Sequence, residues 1–274
     1  MRSVIFGLSQ VARELKSGEV RVLAAALALA VAAMTAVGFF TDRVGQGVQA
    51  RSAEVLAADL VLRSNRPIGD QHEVLARELG LETARTASFP SVVVAGEATA
   101  LADIEAVSAA YPLRGRLKVS AAMEAESLAV DEVPPPGEAW ADPRLMARLG
   151  ADAGITVQLG RMELQVKRLL DYRPDQGFGF AELAPTLLIN LEDVAATGLV
   201  APGSRVSYRM LLAGDPAALA EFRERVELGV SERLRGIEDA QPEIGSAVER
   251  AGRFIGLASL VSALIAALAV GMAA

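Results

Sequence analysis

Two stretches of this chain lack any charged residue, and they limit what it can fold into more than anything else in the sequence. Val22 to Thr41 (VLAAALALAVAAMTAVGFFT) and Phe254 to Ala274 each run twenty residues or slightly more without Asp, Glu, Lys or Arg, and neither contains Pro. At about 1.5 Å per residue, such a helix spans about 30 Å, the hydrocarbon thickness of a bilayer. A continuous helix also satisfies every backbone polar group internally, as a lipid environment demands. The alternative is a pair of helices buried in a soluble core, but those rarely run this long without a polar face. The sequence therefore predicts transmembrane helices at 22–41 and 254–274.

Between them lie residues 42–253, enough chain for one large domain or two small ones. The chain has 27 basic and 34 acidic residues; four and two of these precede Val22, leaving 23 against 32 in the middle, a net charge of −9. That balance argues against a nucleic-acid partner, which calls for clustered Lys and Arg. There is no Cys, and hence no disulfide or thiolate metal site. Arg2, Arg13, Lys16 and Arg21 outnumber Glu14 and Glu19 ahead of the first span, which keeps the N-terminus cytoplasmic by the positive-inside rule and places 42–253 outside. Residues 1–21 include a helical apolar stripe (Val4, Ile5, Leu8, Val11, Ala12, Leu15) that suits a cytoplasmic amphipathic helix at the membrane interface. A cleaved signal peptide with 22–37 as its apolar core is the competing reading.

Within the middle region the patterns predict a strand near 58–63, a helix from Asp70 to Leu79 stopped by Gly80, and strands near 82–95 and 100–107. Val133-Pro-Pro-Pro-Gly137 marks a change of direction, since three prolines continue neither a helix nor a central strand. Asp142-Pro143 opens a helix to Leu149. A hairpin is expected at 155–170 around Gly160-Arg161, with strands at Thr186–Asn190 and Ser204–Leu212. Asp215-Pro216 caps a helix expected to reach about Arg235. A β-rich unit at 134–200 is thus set inside an α/β unit made from both flanks.

Catalytic motifs fail on inspection. Gly45-Gln-Gly47-Val-Gln-Ala50 has the letters of a dinucleotide-binding turn but follows an apolar span rather than a strand. His72-Glu73 starts like a zinc-protease helix, yet position 76 is Ala and the chain has a single His, so His72 is read as a surface helix residue. No Gly precedes a Lys, which rules out a Walker A loop, and no G-x-S-x-G occurs. Carboxylates such as Asp131-Glu132 and Glu238-Asp239 read as solvated surface. No catalytic, cofactor-binding or metal residue is expected, and no cofactor. Small-residue stripes (Ala24, Ala28, Ala32, Ala36; Ser259, Ala263, Ala267, Gly271) would let the two spans pack closely. The absence of ionisable residues from both argues against an ion path.

The order of segments resembles the N-terminal part of FtsX-like ABC transporter permeases, most closely the YbbP type and less so the MacB and LolC types. The residues that carry the likeness are Ser17-Gly-Glu-Val-Arg21, Val37-Gly-Phe-Phe-Thr-Asp-Arg43, Ala58-Asp-Leu-Val61, Ser88-Phe-Pro-Ser91, Tyr111-Pro-Leu-Arg-Gly115 and Ala139-Trp-Ala-Asp-Pro-Arg144. Further on come Pro174-Asp175, Gly177-Phe-Gly-Phe180, Thr197-Gly198 and Pro202-Gly-Ser-Arg205. The resemblance implies an α+β membrane protein whose two transmembrane helices flank an extracytoplasmic MacB-like domain, an α/β porter unit (42–133 and 201–253) with an inserted β-rich sabre unit (134–200). It implies a non-catalytic permease subunit of the bacterial inner membrane, multi-pass, with its large domain in the periplasm. Its partners would be a separate cytoplasmic ABC-type ATPase, membrane lipids and a second permease copy in a dimer; its substrate would be a lipid, lipoprotein or other amphiphile. Family members continue through further spans, so the chain ending at Ala274 reads as a fragment. The alternative is a two-span, membrane-anchored sensor or scaffold.

Overall fold

The computed structural model describes residues 56–176, 184–201 and 203–236, together with Val31, Ala32, Thr35, Gly38, Phe39 and Arg43. Those six isolated positions are helical, and Thr35 Oγ1 donates to the Val31 carbonyl at 2.8 Å. The rest of the expected spans at 22–41 and 254–274, and the 1–21 helix, lie outside the described residues. No helix among the described residues is long and apolar enough to cross a membrane. The chain divides into two compact units, Ala50–Gln241 and Met1–Gln49 with Pro242–Ala274.

Period-two patterning and turn glycines produce a strand-rich chain. In order it forms β1 (Leu60–Ser64), α1 (Asp70–Glu78), β2 (Glu82–Ala95), β3 (Ala98–Val107), β4 (Leu117–Ser120), β5 (Leu128–Val130), β6 (Glu138–Ala141) and α2 (Pro143–Leu149). After these come β7 (Thr156–Leu159), β8 (Met162–Tyr172), β9 (Thr186–Asn190), a 3-10 turn, α3 (Val194–Thr197), β10 (Ser207–Ala213), α4 (Pro216–Arg225) and β11 (Glu232–Gly236). All described strands join one sheet in the order β11-β1-β10-β2-β3-β9-β6-β8-β4-β5, with β7 pairing β2 and β8. Pairing is antiparallel except at β3–β9 and β6–β8. Strands from both sides of the proline run therefore share backbone hydrogen bonds.

Alternation along the strands sorts side chains into three cores. Leu60 and Leu62 of β1, with Met210 and Leu212 of β10, pack under α1 and α4, where Ala76 and Phe222 close the layer. The opposite face of the same strands buries Val61 and Leu211 in a cluster with Val107, Tyr111, Trp140 and Leu188. The third and largest core sets Leu145, Met146 and Leu149 of α2 against Ile104, Leu187 and Ile189. β9 is buried along its full length, as a strand covered on both faces must be.

Local chemistry fixes the helix ends. Asp142 Oδ1 accepts from the Arg144 amide at 2.7 Å ahead of Pro143, and Gly150 ends α2 at φ 64°. Asp215 caps α4 in the same way through the Ala217 amide at 2.8 Å.

Two expectations need correction. The helix begun at Asp215-Pro216 ends at Arg225 rather than Arg235, and residues 232–236 form an edge strand beside β1. Pairing there satisfies the otherwise open edge of β1 and brings Leu234 to the α1/α4 core, which outweighs local helix propensity. His72 is not a surface residue: it is buried at 2% exposure, with Nε2 3.0 Å from Glu232 Oε2 of that unanticipated strand.

The hairpin between β7 and β8 turns at Gly160, φ 60°, where an added Cβ would lie 2.2 Å from the Thr197 carbonyl oxygen. Gly96, φ 59°, turns the β2–β3 hairpin with open space around it. Gly96→Ala should cost about 1–2 kcal/mol from left-handed backbone strain alone. Gly160→Ala should cost clearly more, because the backbone of the α3 C-terminus must also move. Urea unfolding of both variants reads the difference; equal losses would mean that the close approach to Thr197 is absent in solution.

Candidate functional site: a buried ion cluster beside an arginine cleft

The strand register places a band of charge on one sheet face. Arg63 of β1 lies opposite Arg209 of β10 and Arg233 of β11, so the three share a face, and Arg235 joins it two residues along β11. Arg209 in turn faces Thr86 of β2, and Nε donates to Thr86 Oγ1 at 2.9 Å. Glu105 of β3 lies on that face as well, opposite Ser88.

At the inner end of this band four charges are buried together. Arg209 donates to Glu105 through Nη2, and its Nη1 lies 2.8 Å from Asp175 Oδ2. Arg173 Nη1 donates to Glu105 Oε2 and Asp175 Oδ1, each at 3.2 Å. The side chains of Glu105 and Asp175 are each 2% exposed. The Tyr111 hydroxyl, also buried, donates to Asp175 Oδ1. Two guanidiniums against two carboxylates leave no net charge, which is what allows them to be buried at all.

Ionisation follows from this environment. Burial disfavours the Asp175 carboxylate, but Arg209 and Arg173 outweigh it, with help from the Tyr111 hydrogen bond, and hold Asp175 below the usual carboxylate range. Burial and the neighbouring Asp175 charge push the Tyr111 hydroxyl well above its ordinary value, so it stays a donor. Burial would lower Arg209, yet Glu105 and Asp175 raise it on balance.

Outward from the cluster opens a cleft of about 920 Å³. Its walls carry Arg63, Arg66, Arg205, Arg233 and Arg235, and Asp103 is the sole carboxylate among the lining residues. All five arginines are exposed. Among the described residues none of their side chains forms a hydrogen bond or salt bridge. Partial desolvation of its guanidinium, followed by repulsion from Arg209 and Arg235, lowers the pKa of Arg63. A separate cavity of about 260 Å³ is lined by Arg173 together with Asp142, Arg144 and Asp171.

The fold joins pieces that are far apart in sequence. Tyr111 and Asp175, from two of the quoted motifs, meet in the ion cluster, while Ser88-Phe89-Pro90 and Gly203-Ser204-Arg205, from two others, line the cleft. Sequence reading missed the cleft because a helix through Arg235 would turn Arg233 and Arg235 to different faces, whereas strand spacing puts them on one. Asp131 and Glu132 stay largely solvated, paired with Arg116 and Arg168, as expected. Gly45–Ala50, Phe178–Phe180 and Glu238-Asp239 lie outside the described residues. No group of three metal-competent side chains occurs among the described residues.

In sequence the chain is similar to an ABC transporter permease, in agreement with the resemblance carried by its motifs. It is 32% identical over 263 residues to the uncharacterized ABC transporter permease YbbP of Escherichia coli (strain K12), a match covering 95% of this chain and 32% of that protein. The chain thus spans about a third of the length of the curated relative it matches. No protein-family model matches it. Among solved structures, the periplasmic region of MacB from Actinobacillus actinomycetemcomitans is similar, at 14% identity and a TM-score of 0.44, covering 70% of this chain and 95% of that one. The extracellular domain of the ABC-type transporter YknZ from Gram-positive bacteria is similar at 8% identity and a TM-score of 0.41, covering 65% and 100%.

Replacing Asp175 with Asn should destabilise the domain by about 3–5 kcal/mol near pH 7, because Arg173 and Arg209 lose a buried counter-charge. The folded carboxylate has a depressed pKa, so its contribution is present above about pH 4 and is lost as pH falls through the depressed value. Urea unfolding should therefore show the gap between wild type and Asp175→Asn narrowing as the solution is acidified. A gap independent of pH would exclude an ionised Asp175 in the folded cluster.

Proposed function

We propose that residues 42–253 are the periplasmic domain of an ABC transporter permease, held at the bacterial inner membrane by transmembrane helices at 22–41 and 254–274. In this reading a separate cytoplasmic ATPase hydrolyses ATP, and the permease, paired with a second copy, carries the resulting motion across the membrane. The periplasmic domain, with its porter (42–133 and 201–253) and sabre (134–200) parts, acts on a lipid, lipoprotein or other amphiphile at the outer face. The observation that carries the proposal is the sequence likeness to an ABC transporter permease, which runs through 95% of the chain and so reaches into both uncharged runs as well as the domain between them. The domain's strands support it in one physical respect. All of its described strands are joined by backbone hydrogen bonds into one sheet, which links the residues on either side of the proline run.

Topology is tested with single cysteines at Ser17, before the first span, and at Ser127, an exposed residue of the domain. With a membrane-impermeant thiol reagent on intact spheroplasts, Ser127→Cys should react and Ser17→Cys should not. Reaction at position 17 alone would reverse the orientation.

Coupling is tested by pull-down in detergent. A chain extended through the parent gene's further spans should capture a cytoplasmic ATPase, whereas residues 1–274 should not. If the long chain captures none, the two-span sensor or scaffold is the better description. Equal capture by both chains would place the ATPase contact in the N-terminal helix.

A further inference from the structure

The five arginines of the cleft have no role in the fold that the described residues reveal. Arg63 and Arg233 sit opposite each other on neighbouring strands, and Arg235 lies two residues along the edge strand. Side chains so placed are about 5–7 Å apart at their bases. Arg66 and Arg205 reach the same space from two loops. Like charges gathered at this spacing repel; at Arg63 the repulsion from Arg209 and Arg235 adds to partial desolvation, the larger cause, in lowering the pKa. In a region whose net charge is −9, such a concentration of positive charge on one concave surface is the opposite of the average composition. An anion in the cleft would relieve it.

The chemistry of that anion can be narrowed. Guanidinium forks match the oxygens of a phosphate bidentately, and several converging forks favour more than one negative charge. Ser88 and Ser207, paired across β2 and β10, add hydroxyls on the same wall. The cleft is open to solvent, and its volume of about 920 Å³ is within the range of small-molecule sites. The negative charge of the whole region repels nucleic acid at long range. Under the proposed function, on which this step rests, the phosphate compound abundant at the domain's own bilayer is a lipid headgroup.

We propose that the cleft formed by Arg63, Arg66, Arg205, Arg233 and Arg235 binds the phosphate-bearing headgroup of an anionic lipid. The arginines hold the phosphate oxygens. The neutral ion cluster fixes Arg209, the cross-strand neighbour of Arg63.

The test uses chain 1–274 in neutral detergent, with binding to mixed micelles containing dioleoyl phosphatidic acid followed by fluorescence of a labelled lipid. The triple variant Arg63→Gln, Arg233→Gln, Arg235→Gln should bind about tenfold more weakly or worse. A charge-matched triple at exposed arginines elsewhere, Arg77→Gln, Arg116→Gln, Arg225→Gln, should bind as wild type. Inorganic pyrophosphate should compete with the lipid on the wild-type chain. Should the strand triple fail to fold by thermal melting, the loop pair Arg66→Gln, Arg205→Gln carries the same expectation of weakened binding. Wild-type affinity in the folded cleft variants, equal loss in both triples, or no competition by pyrophosphate would each overturn the proposal. Pyrophosphate binding without lipid binding would overturn the lipid source and leave a free-phosphate site. ATPase capture by the longer chain does not depend on these residues. Lost lipid selectivity with capture intact would count against the cleft alone, and lost capture with lipid binding intact against the permease reading alone.

Discussion

Four buried charges hold the centre of this domain. Glu105 comes from β3, Arg209 from β10, and Arg173 and Asp175 from the segment after β8, so their mutual contacts tie three distant parts of the chain at one point. A charge taken from water demands a partner with good geometry, and here each guanidinium touches both carboxylates. Such a cluster adds little net stability compared with an apolar core of equal volume. Its effect is on uniqueness: a slip of one residue in β3 or β10 would carry Glu105 or Arg209 to the opposite face and strand the others in a dry interior.

The same register sets the surface. Because Arg209 is held inward by Glu105, Asp175 and Thr86, its neighbours Arg63 and Arg233 are turned to the same side, toward the cleft. The apolar layer under α1 and α4 occupies the other side of those strands. One sheet therefore separates a dry helical layer from an open basic surface. Any ligand in the cleft would bear on strands that run, through β2 and β3, into the largest core.

Much of the fold could be read locally. The hairpin at Gly96, the Asp142-Pro143 and Asp215-Pro216 helix starts, and the β7–β8 turn at Gly160 each rest on residues adjacent in sequence, where backbone preference and capping act alone. The short strands β4, β5 and β6 carry too few alternations for periodicity to mark them. Residues 226–236 were misread as helix because Leu234 and the charged residues around it fit either period over so short a span. Only the free edge of β1 selects the strand.

By itself, the sequence determined the two uncharged runs, the negative balance of the region between them, the main strands and helix starts, and the likeness to ABC transporter permeases. All of these depend on composition or on neighbours within a few residues. Tertiary structure decided which charges are buried and which are gathered. Asp175 looks like any loop carboxylate until Arg209 and Glu105 arrive from other strands to meet it and its neighbour Arg173, and His72 looks like a surface helix residue until Glu232 meets it. The five cleft arginines are spread over more than 170 positions and share a surface only through pairing of β1 with β11 and the loop before β10. Electrostatic sites depend on distances of a few ångströms between residues remote in the chain, and those distances exist only once the strands have paired.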